Sequence, residues 1–297
     1  MDVFAPLYYK DFKCIAEKCT HSCCVSWEID IDEQTLARYE SFAGGYFDKI
    51  KESIEYEDTP HFKLCEGERC PHLDCRGLCR IITNCGEEQL CDICREHPRF
   101  YNKTLHGLEL GLGMACEEAA RIILTSDNYT DFIKIEEADT SPLVSDFDAV
   151  RERGEVYKIL SDKSAPYKTR LETIWNAYGI SPSRLSDGEW REELSSLEYL
   201  DEAHKRLFLS YTSEAKTPHG CDDMAERALA YFIFRHTASA ECAEDFKALL
   251  GFACFLERLF ASLMCDAENA IKIGRIISEE IEYSEDNTEK IILTFYD

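Results

Sequence analysis

Sixteen cysteines set the chemistry open to this 297-residue chain, and 12 of them lie between Cys14 and Cys116. They fall into groups. The first holds Cys14, Cys19, Cys23 and Cys24, the second Cys65, Cys70, Cys75, Cys79 and Cys85, and the third the Cys91-x2-Cys94 pair. Cys116 closes the set, just before a helical run over residues 117–125. Thiolates are soft ligands that suit zinc and iron–sulfur clusters, and each such site takes about four of them. Twelve thiols are enough for two sites with cysteines left over. The adjacent Cys23 and Cys24 cannot easily pair with each other, but they can face two metals or opposite sides of one cluster. The spacings do not separate zinc from iron–sulfur, and a structural zinc knot without chemistry fits them as well. Cys221, Cys242, Cys254 and Cys265 lie in or beside apolar helical stretches and read as buried, inert thiols.

Disulfides are not the expected use of this cluster. Residues 1–10 lack the basic start and apolar core of a signal peptide. No apolar run approaches the roughly 20 residues that span a bilayer. A cytoplasmic, reducing setting without a membrane partner is therefore expected, and there a dense thiol cluster favours metal. The net charge of −25 argues against nucleic acid, because phosphate binding needs clustered Lys and Arg. The acidity reads either as solubility or as attraction for a basic, lysine-bearing protein.

The elements that must position the thiols change character along the chain. Residues 1–125 are cysteine-rich and irregular, with a small apolar core that metal ligation would reinforce by ~10–16 kcal/mol. Residues 126–145 form an acidic connector. Residues 146–297 carry helical periodicity, with helices expected over 146–160, 167–178, 189–211, 224–236, 246–264 and 267–282, and a break at Pro182. The longest is expected at 189–211, where Leu194, Leu197, Leu200, His204, Leu207 and Phe208 share a stripe. The expected fold class is mainly α: an N-terminal cysteine-rich, metal-binding domain with short strands, plus a C-terminal helical domain.

Several segments together resemble a known family. They are Phe12-Lys13-Cys14, Cys23-Cys24-Val25-Ser26-Trp27, Cys70-Pro71-His72-Leu73, Gly77-Leu78-Cys79-Arg80-Ile81, Leu90-Cys91-Asp92-Ile93-Cys94-Arg95-Glu96-His97-Pro98-Arg99 and Cys116-Glu117-Glu118-Ala119-Ala120-Arg121. In this order they look like the flagellin lysine-N-methylase family, which shares its cysteine pattern with the YkgJ-type cysteine-cluster proteins. The likeness covers residues 8–125 and extends weakly to Tyr231-Phe232-Ile233-Phe234-Arg235-His236. It implies methyl transfer from S-adenosylmethionine to lysine ε-amino groups of flagellin, with an iron–sulfur cluster, [4Fe-4S] in type. Carried over by position, Cys19, Cys23, Cys24, Cys70, Cys79, Cys94 and Cys116 are the implied ligands, with Cys14 and Cys91 next. Cys65, Cys75 and Cys85 fall between the motif positions and look dispensable.

Two common routes to methyl transfer leave marks that can be sought directly. A Cys-x3-Cys-x2-Cys triplet is absent, since Ser26 and Ile82 stand where third cysteines would be needed. The stretch 108–116 (Leu-Glu-Leu-Gly-Leu-Gly-Met-Ala-Cys) superficially matches a nucleotide-binding turn, but it lacks the third glycine and reads as a strand leading to Cys116. Catalytic candidates near the cluster are His97, Tyr101, Glu109 and Glu117, none distinguished by spacing. Arg95 and Arg99 could hold the cofactor carboxylate or offset cluster charge, or else pair with Glu96 or Asp92. Trp27 could stack on an adenine or pack in a core. The second reading of the whole chain is a non-enzymatic redox or assembly module that binds zinc or iron–sulfur through the same cysteines.

Overall fold

Apolar side chains at helical spacing become helices wherever caps agree with the period. The computed structural model describes residues 1–56, 59–181, 184–214 and 217–296; the expected break at Pro182 lies outside these described residues. In chain order the elements are β1 (Asp2–Pro6), α1 (Glu33–Ser41), α2 (Tyr46–Glu52), β2 (Ile54–Tyr56), β3 (Pro60–Phe62), α3 (Arg80–Cys85), α4 (Asp92–Glu96), β4 (Arg99–Lys103), β5 (Leu108–Leu112), α5 (Glu117–Thr125), β6 (Phe132–Glu137), α6 (Ala149–Leu160), α7 (Tyr167–Tyr178), α8 (Asp187–Ser195), α9 (Glu202–Phe208), α10 (Asp222–Thr237), α11 (Ala243–Leu263), α12 (Ala267–Ile277) and α13 (Glu285–Leu293). The protein is mainly helical with a small mixed sheet. No helix among the described residues is long and apolar enough to cross a membrane.

Two units make up the chain. Residues 13–98 form one; residues 1–12 together with 99–297 form the other. The composition change suggested a boundary near residue 125, but the division falls after Phe12 and after Pro98. The reason is the sheet, whose strand order is β4-β5-β1-β6. β1 runs parallel to β5 and antiparallel to β6, and β4 runs antiparallel to β5. This draws residues 99–112 and the acidic connector's strand β6 into the helical unit. α5 then buries Ala119, Ala120, Ile123 and Leu124 in the same core as α10, α11 and α12.

In the cysteine-rich unit, β2 pairs with β3 as a short hairpin, and Ile29, Ile31, Ile50, Ile54, Phe62 and Ile81 form a compact apolar core. His72 lies in that core at 2% exposure. Ser53 gives its own hydroxyl proton to the Ile50 carbonyl, so its Oγ accepts from His72 Nε2 at 2.9 Å; Nδ1 is then the acceptor for the Tyr46 hydroxyl at 3.0 Å. Burial, aided by the nearby Arg80 charge, pulls this imidazole down to about 4 and keeps it neutral.

The helical unit departs from expectation at two stretches. Residues 189–211 are not one long helix, and the longest is α11 instead. Ser195 and Ser196 turn their hydroxyls onto the carbonyls of Glu192 and Glu193, at 2.8 and 2.6 Å. The Leu200 and Asp201 amides then donate to the Glu280 carboxylate, and Asp201 caps a new helix by accepting from the Ala203 N–H. Leu200, placed on the expected buried stripe, is 49% exposed as a result. The run over 267–282 also divides: α12 ends at Ile277 and a single π turn, Ser278–Glu282, follows.

One core charge gives this unit a pH dependence. Glu257 of α11 is 2% exposed. Burial pushes its carboxyl up to about 7, with Asp222 adding to the rise and Tyr167 and Arg258 opposing it. Unfolded, a glutamate titrates near 4.5. The folded state therefore holds the proton longer, and the contribution of Glu257 to stability falls as pH rises from about 4.5 to 7, then levels off. Glu257→Gln is expected to flatten this slope and to stabilise the protein at pH 8 by up to roughly 3 kcal/mol. Denaturant midpoints measured from pH 4.5 to 8 on both forms check this; parallel slopes would refute it.

Candidate functional site

Six thiols of the cysteine-rich unit gather in and beside its core. Cys70 and Cys91 are buried in it, and Cys24, Cys79 and Cys94 pack against it. Cys23 hydrogen-bonds with its neighbour Cys24. Cys91 and Cys94 are bonded to each other, with the Cys94 amide also directed at Cys91. The pairs feel one another: Cys94 lies within electrostatic reach of Cys24 and Cys70, and Cys79 within reach of Cys23 and Cys91. The hydrogen bond from Cys94 holds the Cys91 thiol below its ordinary range, and the same bond drives Cys94 upward. The bond to Cys24 and then burial raise Cys23; burial lifts Cys70 to about 11.

These side chains have the right chemistry for a thiophilic metal, but not a finished geometry. Among the described residues no three His, Cys, Asp or Glu side chains converge so as to hold a metal ion. Four of the thiols stand as two hydrogen-bonded pairs, while Cys70 and Cys79 accept from the amides of His72 and of Ile81 and Ile82; a metal would require the sulfurs to lose their protons and turn onto a common centre. What the structure shows in this unit is a group of thiols.

Three further cysteines belong to the implied ligand set. Cys14 is exposed. Cys19 is half-buried and donates to the His21 carbonyl at 2.5 Å. Cys116 belongs to the helical unit, as the N-cap residue of α5. Of the cysteines that looked dispensable, Cys75 is exposed, Cys85 packs on the same core as the thiol group, and Cys65 lies within electrostatic reach of Cys70. Cys221 and Cys254 are buried as expected, whereas Cys242 and Cys265 are exposed. Both of these sit at helix ends: Cys242 caps α11 by accepting from the Asp245 amide, and Cys265 lies just past α11 beside Asp266.

Glu109 is buried and takes a two-pronged bond from Arg153, at 2.5 and 2.8 Å, with both oxygens engaged. The Arg153 guanidinium is in turn framed by Phe132 and Phe234. Tyr101 stands 50% exposed on β4. His97 ends α4, its amide bonded to the Ile93 carbonyl, and Glu117 opens α5. Arg95 pairs with Asp92 and Glu96, the alternative weighed from the sequence. Arg99 donates to the Tyr9 hydroxyl at 2.8 Å and lies over the Tyr9 and Phe12 rings. Trp27 is half-buried.

A buried network around residues 112–116 was not foreseen. The Met114 amide donates to the Tyr231 hydroxyl at 3.2 Å, which donates to Glu282 at 2.8 Å. Arg235 reaches Tyr231 and Glu282, and the Nε2 of His236 lies 2.7 Å from Glu282. Burial opposes the Glu282 charge, but Arg235 and His236 outweigh it and hold the carboxyl down to about 2. The space beside the glycines of β5 and its following turn is filled by this chain's own side chains. A Cβ on Gly113 would meet the Tyr283 hydroxyl at 2.6 Å and Arg235 at 2.8 Å, and one on Gly111 would strike the Phe100 ring. The stretch is thus a packed strand leading to Cys116, as read from the sequence, and leaves no cradle for a phosphate.

No family model matches the chain, and no solved structure matches it. Three curated relatives do. The flagellar biosynthetic protein FliU of Salmonella muenchen is 26% identical over 129 residues, which are 41% of this chain and 76% of that protein. The lysine-N-methylases of Salmonella choleraesuis and Salmonella typhimurium are each 25% identical over 130 residues, again 41% of this chain. The match spans about a third of the length of those methylases, 32%.

The glycine packing yields a paired prediction. Gly111→Ala is expected to lower stability by about 1–3 kcal/mol, because the methyl group overpacks against Phe100. Gly154→Ala, inside α6 with nothing within 4 Å of its added carbon, is expected to raise stability by about 0.5–1 kcal/mol. Thermal melts of the two variants beside the parent protein check both signs.

Proposed function

We propose that this protein is a protein lysine N-methyltransferase that acts on a lysine-bearing partner such as flagellin. The observation that carries the reading is the similarity to two lysine-N-methylases over about two-fifths of the chain. The flagellar name of the third relative supports a flagellar partner. The gathering of Cys23, Cys24, Cys70, Cys79, Cys91 and Cys94 supports the further reading that these thiols receive an iron–sulfur cluster, or zinc in its place. S-adenosylmethionine is the proposed methyl donor and supplies an electrophilic methyl on sulfonium.

The acceptor sets its own requirement. A lysine ε-amine attacks only when neutral, and removing its proton near pH 7 costs roughly 4 kcal/mol. The N–C bond then forms as the C–S bond breaks, and the displaced proton leaves to a base. Among the candidates for that base, Glu109 is committed to Arg153, and Tyr101 is half exposed on β4. The chain's net charge of −25 favours approach of a basic substrate surface.

The thiol group by itself also suits a redox or assembly module without catalysis, and one experiment separates the two. Protein prepared without oxygen is incubated with flagellin and methyl-labelled S-adenosylmethionine, and lysine methylation is read by mass spectrometry. Methylated lysines are expected, with the rate falling as ionic strength rises. Cys23→Ser, Cys24→Ser and Cys94→Ser should each lower both bound metal and methylation, whereas Cys254→Ser, in the helical core, should lower neither. Metal-loaded protein that neither binds S-adenosylmethionine nor methylates flagellin would leave the module reading in its place.

A further inference from the structure

Three hydrogen bonds from α1 converge on the backbone on either side of Cys91. Tyr39, fully buried, donates its hydroxyl to the Gln89 carbonyl at 2.6 Å. Arg38 donates through Nη2 to the Leu90 carbonyl at 3.1 Å, and is itself steadied by Thr35 Oγ1 at 2.7 Å. Asp32 accepts from two helices at once. Its Oδ1 caps α1 through the Thr35 amide, and its Oδ2 takes the Asp92 amide, the first of α4, each at 2.9 Å. Burial opposes the Asp32 charge, yet these amide bonds prevail and hold its carboxyl below the usual range.

The placement is specific. α4 is only five residues long and carries Cys94 on its third position. So short a helix does not hold itself together in water. Its first amide is served by a carboxylate 60 residues upstream in the chain. Residues 89, 90 and 92 are thus each tied to α1, and Cys91 sits between the ties.

We infer that Asp32, Arg38 and Tyr39 are positioning residues that fix the Cys91–Cys94 pair in place, acting through the backbone rather than by touching the sulfurs. None of the three belongs to the cysteine-bearing motifs. The inference rests on the reading of the thiol group as the working centre, and outer-sphere supports of this kind govern how firmly thiols hold and release what they bind.

The test is site-resolved thiol alkylation of the full-length protein as purified, with metal content measured on the same sample. Tyr39→Phe removes one hydroxyl and keeps the ring. Asp32→Asn keeps the shape and removes the charge that binds both amides. Each variant is expected to speed alkylation of Cys91 and Cys94 by about tenfold, with the exposed Cys14 and Cys75 unchanged and the thermal melt of the helical unit unmoved. Rates at Cys91 and Cys94 that stay at the parent value, or rise equally at all cysteines, overturn the inference. Should Asp32→Asn fail to fold, Tyr39→Phe decides alone. Parent protein that contains no metal would count against the metal reading, whereas the alkylation ratio judges the positioning role in either case.

Discussion

A single carboxylate, Asp32, accepts hydrogen bonds from first-turn amides of two helices, Thr35 in α1 and Asp92 in α4, and the order of the thiol group depends on it. The cysteine-rich unit has little else to work with. Its apolar core is small, its helices are short, and much of its backbone lies in turns. Hydrophobic burial alone leaves such a unit marginal. Its order therefore comes from polar anchors placed at chosen points: Asp32, Arg38 and Tyr39 on residues 89–92, and His72 between Tyr46 and Ser53. Each anchor joins parts of the chain that are distant in sequence.

The helical unit solves a different problem. It buries many charges, and each is matched. Glu226 takes both prongs of Arg170, Glu109 those of Arg153, and Glu280 serves two backbone amides and His204. Glu279 pairs with Arg275, and Glu282 with Arg235 and His236. Three of these carboxylates lie within one π turn and point to different partners, so that turn locks α12 to α9 and α10. Such pairs add little net stability over an apolar core, but breaking one partner leaves an uncompensated charge. Their effect is to fix which helices meet. Glu257, which lacks a matched cation of this kind, is the exception, and its contribution to stability falls as pH rises.

Helices were legible where period and caps agreed. Residues 117–125 and 167–178 form helices with those bounds, and α10 and α11 lie within a few residues of their expected limits. The break at residues 196–200 was hidden because it is set by Glu280, some 80 residues away, and not by the local apolar stripe. The sheet was hidden for the same reason: β1 finds β5 and β6 only in three dimensions, so composition misplaced the division of the chain. The thiol group was legible as residue types, and six of the implied ligands do gather. Its supports were not, because Asp32, Arg38 and Tyr39 look like an ordinary capped helix until their partners at residues 89–92 are known. Cys242 and Cys265 read as buried because their neighbours are apolar, yet both fall at helix ends where the side chain faces water.

The gathered thiols are proposed to receive a metal centre in a lysine methylase. The most direct measurement is the iron, acid-labile sulfide and zinc content of protein purified without oxygen. The account predicts about four irons and four sulfides per chain, lost together when Cys91 and Cys94 are replaced. Protein that carries neither iron nor zinc, and takes up neither on reconstitution, would contradict it.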